Sequence, residues 1–152
     1  MLFLYISVIV LNAAAYWIPK KLTKQELYIT TIFAYVLQWL TDMILDLKYD
    51  LYGYFGKGFN WPSLLVVYGI FPAVNILYLN LYPYGRSVGR KVLYIFGWTA
   101  FTLLYEVVAL KSGWFYYNGW KLWYSAIADP VLFVMLGVHL KIIRRLFYER
   151  NG

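Results

Sequence analysis

The sequence predicts an all-α integral membrane protein, a bundle of five transmembrane helices with its N-terminus outside and its C-terminus inside the cell. Three observations predict it. Of 152 residues, 62% are hydrophobic and 14% charged, with a mean hydropathy of +0.57, whereas a soluble domain carries about 25% charged residues. The apolar residues gather into five long runs. Lysine and arginine collect at alternate ends of those runs, as the positive-inside rule requires.

The first run, residues 1–18, has no charged side chain and ends at Pro19-Lys20-Lys21. Ala13-Ala14-Ala15 has the small-residue character of a signal-peptidase site. A signal peptide, however, needs a basic stretch before its apolar core, and here the lysines follow it. The run is therefore expected to be a retained helix. Thr23-Lys24-Gln25-Glu26 spells a capping box, which opens a second helix over 25–48.

A loop follows in which Gly53, Gly56 and Gly58 lie among Tyr49, Tyr52, Tyr54, Phe55, Phe59 and Trp61. The third helix, 62–82, begins at Asn60-Trp61-Pro62, with a cap at Asn60 and proline in the first turn, where its missing N–H is harmless. Pro72 should kink it and free the Tyr68 carbonyl. Gly69 and Ala73 form a small-xxx-small pair suited to close helix approach. The stretch from Tyr84 to Lys91 reads as a charged turn, so its GxxxG spelling is not a dimerisation face.

The fourth helix is expected over 92–110. A second aromatic turn, Ser112 to Trp120, leads to the fifth over 121–145, whose helical tail continues to about Tyr148. Lys141, Arg144, Arg145 and Tyr148 fall at helical spacing there. No repeat, linker or low-complexity segment interrupts residues 1–152, which read as one domain.

Assigning chain ends to alternate sides places ten basic residues on one side: Lys20, Lys21, Lys24, Arg86, Arg90, Lys91, Lys141, Arg144, Arg145 and Arg150. Lys48, Lys57, Lys111 and Lys121 fall on the other. The richer side is cytoplasmic. The two aromatic loops then face outward and supply interfacial belts. The net charge of +7 thus belongs to topology and to anionic lipid headgroups, expected at Lys141, Arg144 and Arg145, and nucleic-acid binding is excluded. Having no cysteine, the chain has no disulfide, thiolate metal site or cysteine nucleophile.

Acids inside apolar helices are the residues that point to function. At 1.5 Å per residue, Asp42 lies roughly 24 Å above the inner edge and Glu106 roughly 22 Å. Asp129 lies roughly 12 Å below the outer edge, level with Gln38. Three helices thus each bring an acid into the outer half of the bilayer. Asp42, Glu106 and Asp129, with Gln38 and Asp46 nearby, read as one polar cluster opening outward. Pro130 should free the Ala126 carbonyl beside it.

Simpler readings stand beside this one. Asp46 and Asp50 suit interfacial pairing with Lys48, Lys57, Lys111 or Lys121. Glu106, Asp129 and Asp42 also suit protonated interhelical glue. His139 reads as interfacial and Asn75 as an interhelical hydrogen-bonding residue. No Walker loop, HExxH, GxSxG or Cys/His motif is present, so no cofactor or metal is assigned.

The order of Phe71-Pro72-Ala73, Leu77-Tyr78-Leu79, Tyr82-Pro83, Tyr105-Glu106, Tyr117-Asn118-Gly119-Trp120, Trp123-Tyr124-Ser125 and Asp129 resembles a family of small, uncharacterised multi-pass membrane proteins from spore-forming Gram-positive bacteria. The resemblance covers roughly residues 35 to 140. It implies a helical membrane protein of the cell membrane and carries no activity with it.

Three functions compete on the sequence. The first is binding of a cation or small amphiphilic ligand at Asp42, Glu106, Asp129, Gln38 and Asp46. The second is an enzyme on a lipid or isoprenoid-like substrate, with Glu106 and Asp129 as the catalytic candidates. The third is a non-catalytic scaffold. Solute transport by five helices would require a homo-oligomer.

Overall fold

The computed structural model describes residues 1–58 and 60–149. Phe59 of the first aromatic loop, the side chain of Tyr148 and Arg150 of the basic tail lie outside the described residues. Five helices run through the chain: α1 (Leu2–Trp17), α2 (Lys24–Lys48), α3 (Ser63–Leu81), α4 (Val88–Lys111) and α5 (Leu122–Glu149). The last four are long and apolar enough to cross a membrane, and α1 is a shorter apolar helix of 16 residues.

The capping box at the start of α2 forms as its residues dictate. Thr23 Oγ1 accepts from the Glu26 amide at 3.2 Å, and Glu26 Oε2 accepts from the Thr23 amide at 2.8 Å. At its C-terminal end α2 widens into a π-helical segment, Met43–Lys48. Near its N-terminal end α3 widens likewise over Val66–Ile70, just before Pro72. There the Phe71 amide reaches back five residues to the Val66 carbonyl, so the chain meets proline's missing donor with a wide turn. Asn60 does not cap α3. Its amide group turns back to the Tyr54, Gly56 and Gly58 carbonyls and holds the preceding loop together.

Two sequence expectations are corrected at element boundaries. The charged turn is shorter than expected: α4 begins at Val88, so Gly89, Arg90 and Lys91 belong to its first turn. The two aromatic loops are not irregular either. Each contains a three-residue strand, β1 (Tyr52–Tyr54) and β2 (Phe115–Tyr117), and the two pair antiparallel with Tyr52 opposite Tyr117, Gly53 opposite Tyr116 and Tyr54 opposite Phe115. Further bonds extend the pairing, from the Phe55 amide to Trp114 O and from the Asn118 and Trp120 amides to Leu51 O.

The helices close a ring. α4 packs on α5, α5 on α2, α2 on α3 and α3 on α1. The rings of Phe3 and Tyr105, 5.1 Å apart, bring α1 back to α4. Small residues make the α1–α3 seam close, as the Gly69/Ala73 pair predicts: a Cβ on Gly69 would lie 3.1 Å from the Val8 methyls, and Ala73 is buried with Ala15 and Leu77. Asn12 of α1 also donates to the Gly69 carbonyl at 2.7 Å.

At the basic end of the bundle, Asn80 Oδ1 accepts from the Lys21 and Leu22 amides and ties the α1–α2 link to α3. Glu26 and Arg144 form a 2.7 Å ion pair between α2 and α5, and the guanidinium lies 4.5 Å from the Tyr84 ring centroid. Arg144 is therefore drawn into the bundle, while Lys141 and Arg145 stay exposed.

Candidate functional site

The strand pair lies across one end of the ring, and its pleat decides what lies beneath. Directly opposed residues share a face of a sheet, so Tyr52, Tyr54, Phe115 and Tyr117 point one way and Gly53 and Tyr116 the other. Tyr116 lies across the backbone of Gly53: a Cβ there would come within 2.6 Å of its hydroxyl oxygen. The other face delivers phenols to the acids of the helices.

On α2, Asp42 Oδ1 accepts from Gln38 Nε2 at 2.9 Å, from the Tyr52 hydroxyl at 2.8 Å and, at the longest reach, from the Tyr54 hydroxyl at 3.5 Å. On α4, Glu106 Oε1 accepts from the Tyr117 hydroxyl at 2.6 Å and from Ser125 Oγ of α5 at 2.8 Å. Ser125 is oriented in turn by the Trp120 indole N–H, 2.9 Å away. On α5, Asp129 Oδ2 accepts from Thr102 Oγ1 of α4 at 2.6 Å. Every one of these donors is uncharged.

Below the strands the ring encloses a chamber of about 260 Å³. Gln38, Glu106 and Asp129 stand on its wall, with Thr41, Asn75, Thr102 and Ser125 as the other non-aromatic polar residues. The sheet and adjoining turns contribute Tyr52, Tyr54, Trp114, Phe115 and Trp120, and aliphatic and phenylalanine side chains make most of the remainder. Three polar atoms on residues of this wall, Asn75 Oδ1, Tyr105 Oη and Trp114 Nε1, are buried without a hydrogen-bond partner among the described residues. Asn75 makes the expected interhelical contact with its other end, a 3.4 Å bond from Nδ2 to the Thr30 carbonyl.

The expected cluster is thus brought together only in part. Glu106, Asp129 and Gln38 share the chamber. Asp42 stands one layer back, covered by Gln38, Tyr52 and Tyr54, because its three donors occupy the space between it and the wall. Asp46, in the π-helical segment, is also off the wall; it is buried and makes no ion pair among the described residues, which corrects its interfacial reading. Asp50 does pair at the surface, with Lys57 at 2.6 Å and the Asn118 amide at 3.0 Å. His139 stacks on Phe33 with centroids 3.8 Å apart, against α2 and away from the chamber.

The phenols register how the acids surround them. Burial first, then the charges of Asp42, Asp46 and Glu106, push the Tyr52 hydroxyl far above the ordinary phenol range. Burial and Asp42 do the same to Tyr54. Tyr117 is raised by burial, by Glu106 and more weakly by Asp129. These hydroxyls therefore remain protonated donors at any physiological pH. Among the described residues, no lysine, arginine or histidine stands on the chamber wall. The ion pairs among the described residues are Lys57–Asp50 and Arg144–Glu26, and no three of His, Cys, Asp and Glu there are grouped to hold a metal ion.

Sequence reasoning found the acids but missed Thr102, Tyr52, Tyr54 and Tyr117, which hold them. Thr102 could have been found, since it precedes Glu106 by one helical turn and shares its face. Comparison with protein-family models, curated proteins and solved structures finds no match for this chain.

Proposed function

We propose that this protein spans the cell membrane with its N-terminus outside and its C-terminus inside, α1 making a fifth crossing, and that its chamber binds a small amphiphilic ligand. The observation that carries the reading is the composition of the chamber wall. Acids and hydroxyls gather beneath the strands, and an apolar lining continues among the helices. Such a site accommodates a polar head at one end and a hydrocarbon tail along the rest. The volume, about 260 Å³, is near the lower end of the ~300–1,000 Å³ of small-molecule pockets, so the ligand is a short-chain or single-chain molecule.

Glu106 and Asp129 bond across helices, to Ser125 and Thr102, as interhelical glue would, and both also line the chamber, which glue alone does not require. The test is saturable binding of short-chain amphiphiles to the full chain in nanodiscs, followed by tryptophan fluorescence. Filling the chamber with Ala128→Phe should abolish it. Binding that is linear in ligand, or indifferent to that substitution, would refute the chamber as a ligand site.

A further inference from the structure

We propose that the head of the chamber's ligand is an organic monocation, a primary or quaternary ammonium, held between Glu106 and Asp129 beneath Tyr52, Phe115 and Trp120. The inference rests on the amphiphile reading above and names the chemistry of the head.

The first observation is an unused oxygen on each acid. Both donors to Glu106 converge on Oε1, and Thr102 reaches only Oδ2 of Asp129. Among the described residues, Glu106 Oε2 and Asp129 Oδ1 accept no hydrogen bond, yet neither is sealed from open space. Each acid is fixed in place by one oxygen and offers the other.

The second is uncompensated charge. A carboxylate inside a bilayer needs a counter-charge or a proton, and among the described residues no basic side chain stands on this wall. The donors already present are hydroxyls, which orient the carboxylates without neutralising them.

The third is the aromatic surround. The rings of Phe115 and Trp120 each lie 5.6 Å from that of Tyr52, and all three line the chamber. Ring faces attract ammonium groups through their quadrupoles, most strongly where water is excluded. Independently of the acids, Asn75 Oδ1, on a side chain 3% exposed, is an acceptor on the same wall without a partner among the described residues. Trp114 Nε1 and the Tyr105 hydroxyl, also without partners there, are donors for an oxygen on the guest. A metal ion is the poorer fit, because hard cations collect six or more oxygens and no three acids here are grouped for it among the described residues.

The experiment compares octyltrimethylammonium, octanol and octyl sulfate on the full chain in nanodiscs of zwitterionic lipid. Octyltrimethylammonium should bind saturably and tightest, and octyl sulfate weakest. Glu106→Gln and Asp129→Asn keep a carbonyl oxygen for the existing donors while removing charge. Each should weaken the ammonium by about tenfold or more, the scale of a charge-assisted contact, and leave octanol nearly unchanged. If octanol binds as tightly as the ammonium, or the two substitutions do not discriminate between them, the cation reading falls and the amphiphile reading stands. If none of the three binds saturably, both fall. The wild-type series decides this even if a variant fails to fold.

Discussion

Tyr52 and Tyr117 face each other across the two-stranded sheet, and each donates its hydroxyl to the acid of a different helix, Asp42 on α2 and Glu106 on α4. A single cross-strand pair therefore connects two helices that the ring joins through α5 on one side and through α3 and α1 on the other. The sheet is both lid and spacer for the acids below it.

Removing either hydroxyl should destabilise the fold. Tyr52→Phe and Tyr117→Phe are each expected to cost about 1–3 kcal/mol, the price of leaving a buried carboxyl short of a donor. Tyr54→Phe should cost less, since its 3.5 Å contact is the longest of the set. Unfolding in detergent reads all three, and a Tyr54→Phe loss equal to that of Tyr52→Phe would contradict this ranking.

Gly53→Ala should cost about 1–3 kcal/mol through overpacking, because the new methyl meets the Tyr116 ring. Truncating the obstacle should relieve it. In a Tyr116→Ala background the same glycine substitution is expected to be nearly neutral, as a double-mutant cycle would show.

The end of the bundle away from the strands depends on Glu26 and Arg144, whose side chains are 8% and 29% exposed. Arg144→Ala strands the glutamate and should cost about 3 kcal/mol. Replacing both, as Glu26→Gln with Arg144→Met, should cost less than the single change. The opposite order in thermal unfolding would remove this pair as the clamp between α2 and α5.

Alkaline pH should act through the sheet. Tyr52, Tyr54 and Tyr117 have folded-state values raised above that of a free phenol. Their contribution to stability is then fully present below about pH 10 and lost as pH rises above it. Unfolding followed from neutral to strongly alkaline pH should show that decline, and it should shrink in the triple Tyr→Phe variant.

Topology has a clean test because the chain lacks cysteine. With the N-terminus outside, Lys121→Cys should react with an impermeant thiol reagent applied to intact cells. Arg86→Cys should react only after lysis.

The helices were legible because segments long and apolar enough to cross a membrane are apolar all round, and such runs need no partner to be recognised. The start of α2 was legible for a local reason, the reciprocal bonds of Thr23 and Glu26. The strands were not. Tyr52-Gly53-Tyr54 and Phe115-Tyr116-Tyr117 are three residues each, too short and too uniformly aromatic to show alternation, and their pairing joins positions more than sixty apart in the chain. That Asp42, Glu106 and Asp129 lie toward the same end of the bundle followed from counting residues. Which of them reaches the chamber did not, because that depends on Tyr52, Tyr54 and Gln38 filling the space in front of Asp42.

The wide turns at Met43–Lys48 and Val66–Ile70 flank β1 on both sides along the chain. A π turn takes up one residue more than an α turn, so deleting one residue within Met43–Lys48 would return that segment to ordinary helix with nearly the same rotation. The widened turn thus fits an extra residue between Asp42 and Tyr52 without turning the strand away from the acid it serves.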